Sequence, residues 1–503
     1  MMKKRILAEI LAAQMILLAS CGEGASQETI DADNSASENT ASDASAESVS
    51  AVVPEDTETE EDSRKTVSDD LPEYDFNGQS FRVLASEQNS FEFYAEDLTG
   101  EMTNDAIYNR NIQIEERFDT KIETEEMERP DQKIVSFVEA GDAPYDIVAQ
   151  WAFTAYIPLT ANTYRNWMKV PYVNFDKPWW NKLANDSATI NGILFTPTGD
   201  LALTSLLFTY GIFFNYSIIE DFSITTDSLY QAVYEGKWTI DYMSQVVENI
   251  YDDVNGNGER DDEDVFGFGS HIDNSADVWL AAFDQPLSGR DEAGNITVEF
   301  MTEKTVGAIE KVSSLYYNNN GGYRYYGDWY VGDKFFAAEK LAFVPATFDS
   351  AFNVLRDMQS TYGILPMPKY DEEQQMYMTN AWDQYSVYGI PKTVSDDGLT
   401  IIGIMTEALA AETYKTVFPI YYDVVLKNRY SADEDAANMV DLIMAGRNFD
   451  FAFMFGLTEF CSLPYMFRDM LSAKTTDVAS KYAGITKMLK KKIPQISGYF
   501  VEQ

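Results

Sequence analysis

Phe81-Arg82-Val83-Leu84-Ala85 and Tyr145-Asp146-Ile147-Val148-Ala149 bracket the stretch that decides the fold. Both are short, mostly apolar runs of strand length. Between them Ile107, Ile114 and Phe118 recur at helical spacing behind a cap at Thr103 or Asn104. Lys121-Ile122-Glu123-Thr124 reads as a second strand. Asp131 to Glu139 reads as a second helix with Ile134, Val135 and Val138 inward, ended by Gly141-Asp142. Strands alternating with helices specify an α/β fold with a mostly parallel sheet covered on both faces. In such sheets ligands sit beyond the carboxyl ends of the strands, and Trp151 lies just past one of them.

Downstream, Leu201 to Asn215 (LALTSLLFTYGIFFN) is a long apolar, β-rich run that suggests a chain crossing between lobes. Thr239 caps the next helix, whose buried stripe is Met243, Val246, Val247 and Ile250. Ser431 and Glu434 have capping-box spacing ahead of Ala437, Met439, Leu442 and Ile443. Val478, Tyr482, Ile485 and Leu489 form a last stripe, and Lys490, Lys491 and Lys492 suit its C-terminal dipole.

The first twenty residues have another logic. Lys3, Lys4 and Arg5 precede an apolar run from Ile6 to Leu18 and the small residues Ala19-Ser20, the order of a secretory signal peptide. Cys21 after Leu18-Ala19-Ser20 resembles a bacterial lipobox, whose cysteine is acylated; an ordinary signal ending near a cysteine is the plainer alternative. Residues 22–73 hold sixteen acidic and two basic residues, too polar and too charged to bury a core. We expect an acidic disordered tether over 21–73.

Charge and composition exclude whole classes. The chain of 503 residues carries a net charge of −45, and the body beyond the tether keeps 65 acidic against 32 basic residues. That surface repels phosphate backbones, so nucleic acid is not a partner. His271 is the only histidine, which disfavours histidine-based triads and zinc sites. With Cys21 acylated, no second cysteine remains to form a disulfide with Cys461, which fits a small buried thiol. Carboxylate-pair hydrolysis stays open among so many acids.

One motif carries metal chemistry. Asp253, Asn255, Asn257, Asp261 and Asp264 fall at positions 1, 3, 5, 9 and 12 of a loop, with Gly258 at 6 and a backbone carbonyl from Glu259 at 7. This is EF-hand spacing, which wraps Ca2+ in oxygens, although position 12 is Asp instead of the bidentate Glu. An acidic Asn-Gly turn without metal is the alternative. Bound calcium would be structural, pinning the loop before a Val265–Phe268 strand.

Taken in order, Phe213-Phe214-Asn215, Gly236-Lys237-Trp238-Thr239, the calcium-like loop, Phe335-Phe336-Ala337-Ala338-Glu339-Lys340, Tyr362 to Tyr370 (YGILPMPKY) and Gly389-Ile390-Pro391 resemble the extracellular solute-binding lipoproteins of bacterial ABC importers. The resemblance runs from Phe81 to about Phe451 and points to the sugar- and oligosaccharide-binding type. It implies a two-lobed periplasmic-binding-protein-like fold of type II that closes over a solute. The expected division is signal 1–20, tether 21–73, an N-terminal lobe 74–200 with a return segment at about 385–415, and a C-terminal lobe 201–384 with 416–503. The implied function is capture of a solute, most often a carbohydrate, at the outer face of the membrane and its delivery to a separate permease. No Walker-type loop is present, in keeping with an ATPase carried by another chain.

Sugars bury apolar faces against aromatic rings while acids and amides bond their hydroxyls. Trp151, Tyr210, Trp279, Phe348-Asp349 and Trp382-Asp383 are candidates for that role, and each is also readable as a core or surface aromatic. Trp179-Trp180 has the same ambiguity, and Trp238 reads as structural. The acid-rich surroundings favour a neutral or cationic saccharide, with a basic peptide as the alternative ligand. A lipid-anchored glycosidase and a glycan sensor or adhesin are the competing functions.

Overall fold

The computed structural model describes residues 63–422 and 434–501. The signal segment, Cys21, most of the tether and the cap at Ser431 lie outside the described residues.

The first sheet is built as the opening stretch predicts. Strand β1 (Ser80–Ser86) pairs in parallel with β2 (Lys121–Met127) and β3 (Ile147–Trp151). Alternation divides β1 between two cores: Phe81, Val83 and Ala85 face one, Leu84 the other. Burial on both faces is why its apolar run is nearly continuous. β3 starts two residues later than the sequence suggests, because Asp146 is taken by Arg82. Its carboxylate accepts from the Arg82 backbone N at 2.7 Å and from Nη2 at 2.8 Å. Trp151 is consequently the last residue of the strand, not a residue beyond it.

Between these strands lie helices Met102–Phe118 and Pro130–Ala140, packed on Ile107, Ile114, Phe118, Ile134 and Val138, with Val135 half-buried. The cap of the first is Glu101, not Thr103 or Asn104: its carboxylate accepts from Asn104 N at 2.8 Å. Gly141 ends the second helix at a φ of 80°, in the left-handed region that suits glycine.

The second sheet follows. β4 (Tyr210–Asn215) lies antiparallel to β10 (Leu341–Thr347) and β11 (Tyr362–Leu365), and β10 runs parallel to β6 (Val265–His271). At the far edge of β6 sit the short β5 (Tyr251–Asp252) and the parallel β9 (Gly322–Tyr325). A hairpin, β7 (Ser288–Arg290) with β8 (Ile296–Val298), and a pair of two-residue strands, β12 (Thr379–Asn380) with β14 (Arg447–Asn448), stand apart. The chain then returns to the first sheet as β13 (Ser386–Gly389), antiparallel to β3.

Three segments differ from expectation. Leu201–Asn215 is not β-rich throughout: Leu203–Leu207 is a helical turn and only Tyr210–Asn215 is strand. The turn forms because the N–H and hydroxyl of Thr204 both donate to buried Glu92. Residues 63–73 do not continue the tether. Val67 and Leu71 pack on the core of the first sheet, Asp70 pairs with Lys177 at 2.6 Å, and Arg64 lies 5.5 Å over Tyr414. The final helix, Val478–Tyr499, runs past Lys490–Lys492 because Ile493 and Ile496 continue its buried face. Cys461 is half-buried. No helix among the described residues is long and apolar enough to cross a membrane.

Candidate functional site

Two chain segments run side by side between the sheets. An antiparallel bridge joins Thr209 to Ala381, and Trp382 N donates to Phe208 O at 2.8 Å. The same stretch is tied to the end of β3: Phe153 N donates to Asp383 O and Ala152 N to Tyr385 O, each at 3.0 Å. The carboxyl end of β3 therefore lies against residues 383–385, and just past the end of β10 Phe348 N donates to Thr209 O at 3.0 Å.

A cavity opens there. Ser270 and His271 contribute from the end of β6, Asn274 and Ser275 from the following helix, and Ala346 and Thr347 from the end of β10. Tyr210 begins β4, Trp382 comes from the crossing segment, and Trp329, Tyr330 and Asp333 come from the stretch before β10. The Trp329 and Trp382 rings are 6.0 Å apart, and Phe208 backs Trp382 at 5.3 Å. The Tyr210 hydroxyl is buried without a hydrogen-bond partner, as is Nδ1 of His271. The volume is about 20 Å³, room for about one water and far below the ~300–1,000 Å³ of small-molecule sites.

Carboxylates surround the cavity. Asp383 accepts from the Tyr465 hydroxyl at 2.7 Å, Asp349 from the Tyr330 hydroxyl at 2.9 Å, and Asp333 from Ser350 Oγ at 2.6 Å. Arg468 bridges Asp273 at 2.5 Å and Asp277 at 3.2 Å, leaving Asp277 Oδ1 buried and unpartnered. Desolvation pushes the Asp383 carboxyl up to about 6 and that of Asp333 up to about 7, and holds that of Asp277 well above its ordinary value. Burial lowers the pKa of His271, favouring its neutral form. Such groups accept from, and when protonated donate to, sugar hydroxyls.

The sequence candidates divide. Tyr210 and Trp382 line the cavity, and Asp349 stands one hydrogen bond behind it through Tyr330, while Asp383, next to Trp382 in the chain, is held by Tyr465 away from the lining. Trp151 lies at the end of β3, half-buried and stacked on Phe153 at 5.7 Å. Trp279 and Phe348 are fully buried and do not line it; Trp279 packs on Phe268 and Phe283. Trp179 and Trp180 are structural, both donating their indole N–H to Glu407 at 3.1 and 2.9 Å. Trp238 is buried and donates to Pro366 O at 2.8 Å. Trp329, Tyr330 and Asp333 escaped the sequence reading; the signal available was the aromatic-acidic run Tyr326-Gly327-Asp328-Trp329-Tyr330 ahead of a short helix.

The calcium-like loop closes mainly on its own groups. Asp253 accepts from Asn257 N at 3.2 Å and Gly258 N at 2.8 Å, and Asp261 accepts from Asn257 Nδ2 at 2.8 Å. Asp264 is fully buried, accepts from the Tyr251 hydroxyl at 3.1 Å, and keeps Oδ1 unpartnered. Among the described residues no three His, Cys, Asp or Glu side chains are grouped as metal ligands.

No protein-family model and no curated protein matches the sequence. Solved structures do match. An ABC transporter solute-binding protein from Thermotoga lettingae TMO, bound with alpha-D-tagatose, superposes with a TM-score of 0.52 at 12% identity, covering 84% of this chain and 100% of that one. The GacH receptor of Streptomyces glaucescens GLA.O gives 0.52 at 12%, over 82% and 99%. Maltose-bound MalE3 of T. maritima gives 0.51 at 14%, over 82% and 100%. Two α/β sheets joined by paired crossings, with a cavity at the strand ends, thus have the two-lobed fold of the solute-binding proteins of ABC transporters.

Proposed function

We propose that this chain is a substrate-binding receptor that captures a saccharide between two lobes and hands it to a separate ABC permease. The observation that carries the reading is the cavity at the ends of β6 and β10, walled by Trp329, Trp382 and Tyr210 with the carboxylate of Asp333 among them. Rings of this kind hold the apolar face of a sugar, and the acids hold its hydroxyls. The similar folds are those of binding proteins, described with alpha-D-tagatose, acarbose and maltose. The lobes divide at the two crossings, near residues 201 and 384, with 385–415 returning to the first lobe. Binding only in the closed arrangement gives the solute its hold on both lobes.

The receptor works at the outer face of the cell membrane, held there by acylated Cys21 on its tether. Calcium fits the 253–264 loop in one respect: buried Asp264 Oδ1 lacks a partner, and a cation drawing in Asp253, Asn255, Asn257, the Glu259 carbonyl and Asp261 would supply it.

A calorimetric panel tests the function. Neutral and amino-bearing glycans are expected to include a binder, and Trp382→Ala to weaken it by about tenfold or more. Binding of acidic glycans at this cavity with none for their neutral counterparts, or turnover of a glycan, would overturn the reading.

A further inference from the structure

A second cavity lies along edge strand β9, and it shares no lining residue with the first. Its volume is about 480 Å³, within the range of small-molecule sites. Three cationic side chains line it: Arg260, Arg324 and Lys474. Basic groups of this acidic chain commonly meet carboxylates, as Arg82 meets Asp146 and Arg129 meets Asp131, each at 2.8 Å. None of these three is ion-paired among the described residues.

They are held on neutral groups. Arg260 donates to Asn320 O at 2.6 Å and Gly322 O at 2.7 Å, its guanidinium 4.8 Å from the Tyr251 ring. Arg324 donates to Ser472 O at 3.1 Å and Ser472 Oγ at 3.0 Å, stacks on Tyr326 at 4.5 Å, and keeps a buried Nε without a partner. Lys474 Nζ sits 4.6 Å from the Tyr317 ring. Two acids on the adjoining turns reach its edge without pairing with these cations: Asp262 accepts from the Tyr323 hydroxyl at 3.0 Å, and Glu248 from Asn320 N at 2.9 Å. The two guanidinium groups are thus held in orientation by neutral partners, and neither is ion-paired with a carboxylate among the described residues. Such preorganised cations bind an anion without having to be ordered first.

We propose that this cavity is a second binding site, for a saccharide-sized anion bearing a carboxylate or phosphate. The charge of Arg324 and Lys474 takes the anionic group, and the cavity volume accommodates a sugar ring beside it. The first cavity has Asp333 and no Lys or Arg in its lining, so the two sites select different ligands.

The test is calorimetry on the full chain at low ionic strength with glucuronate, glucose 6-phosphate and glucose. At least one of the two anions is expected to bind, more weakly as salt is added, while glucose does not reproduce it. Lys474→Gln alters an exposed side chain, and with Arg324→Gln it is expected to weaken the anion by about tenfold or more. Thermal melts confirm that each variant is folded, and the Lys474 single variant alone is expected to show a loss of several-fold. Trp382→Ala is expected to leave anion binding unchanged. No binding of either anion to the folded wild-type chain, binding untouched by both substitutions, or loss in Trp382→Ala would each overturn the proposal.

Discussion

Replacing Glu92 with Gln isolates the cost of one charge held where the first sheet meets the crossing segments. Glu92 is fully buried; Oε1 accepts from Thr204 N at 2.8 Å and from the Thr204 hydroxyl at 2.5 Å, and Oε2 has no partner. Arg110, also buried, donates to the Glu92 carbonyl oxygen at 2.7 Å. Desolvation outweighs these bonds and the field of Arg110, pushing the carboxyl from 4.5 up to about 7. The folded chain therefore keeps a proton that the unfolded chain has released, and stability falls as pH rises. The contribution is whole below about pH 4.5 and lost once pH passes about 7. That gap corresponds to about 3 kcal/mol. Gln is uncharged throughout and removes the dependence. Urea unfolding of both chains at about pH 4.5 and about pH 8 measures it. The stability difference between wild type and Glu92→Gln is expected to move by about 3 kcal/mol in favour of the variant at the higher pH. Parallel pH dependences would refute the reasoning.

Two further predictions concern the lipid anchor and the 253–264 loop. Cys21→Ala is expected to release the protein from the membrane fraction, since an acidic tether offers no second anchoring signal; wild-type retention would remove the lipid anchor. Calcium at about 100 times its dissociation constant is expected to stabilise the wild type by about 2.7 kcal/mol, and Asp253→Ala with Asp264→Ala not at all. A wild-type melt indifferent to calcium would make the loop a plain turn.

How far the fold was legible depended on whether local pattern and tertiary packing agreed. β1, β2 and the two helices between β1 and β3 were readable because their apolar residues keep helical or strand period against a core. Leu203–Leu207 was not, because its turn is set by Glu92, more than a hundred residues upstream. The order of residues 63–73 was hidden for a similar reason: Asp69 and Asp70 look like solvated charge until Arg117 and Lys177 come beside them. Tyr210 and Trp382 line the cavity because they lie on the two segments that run side by side between the sheets. Trp279 carried the same aromatic signal, yet its helix turns it into the core beside Phe268. Composition alone does not distinguish these two fates.

The central claim is that two lobes close over a saccharide, and small-angle scattering on the full chain tests it most directly. A solute that touches both lobes only when they are together favours the closed arrangement over the open one. With the saccharide found by calorimetry at saturation, the radius of gyration is expected to decrease from its solute-free value. An unchanged radius at saturating saccharide would contradict capture by lobe closure.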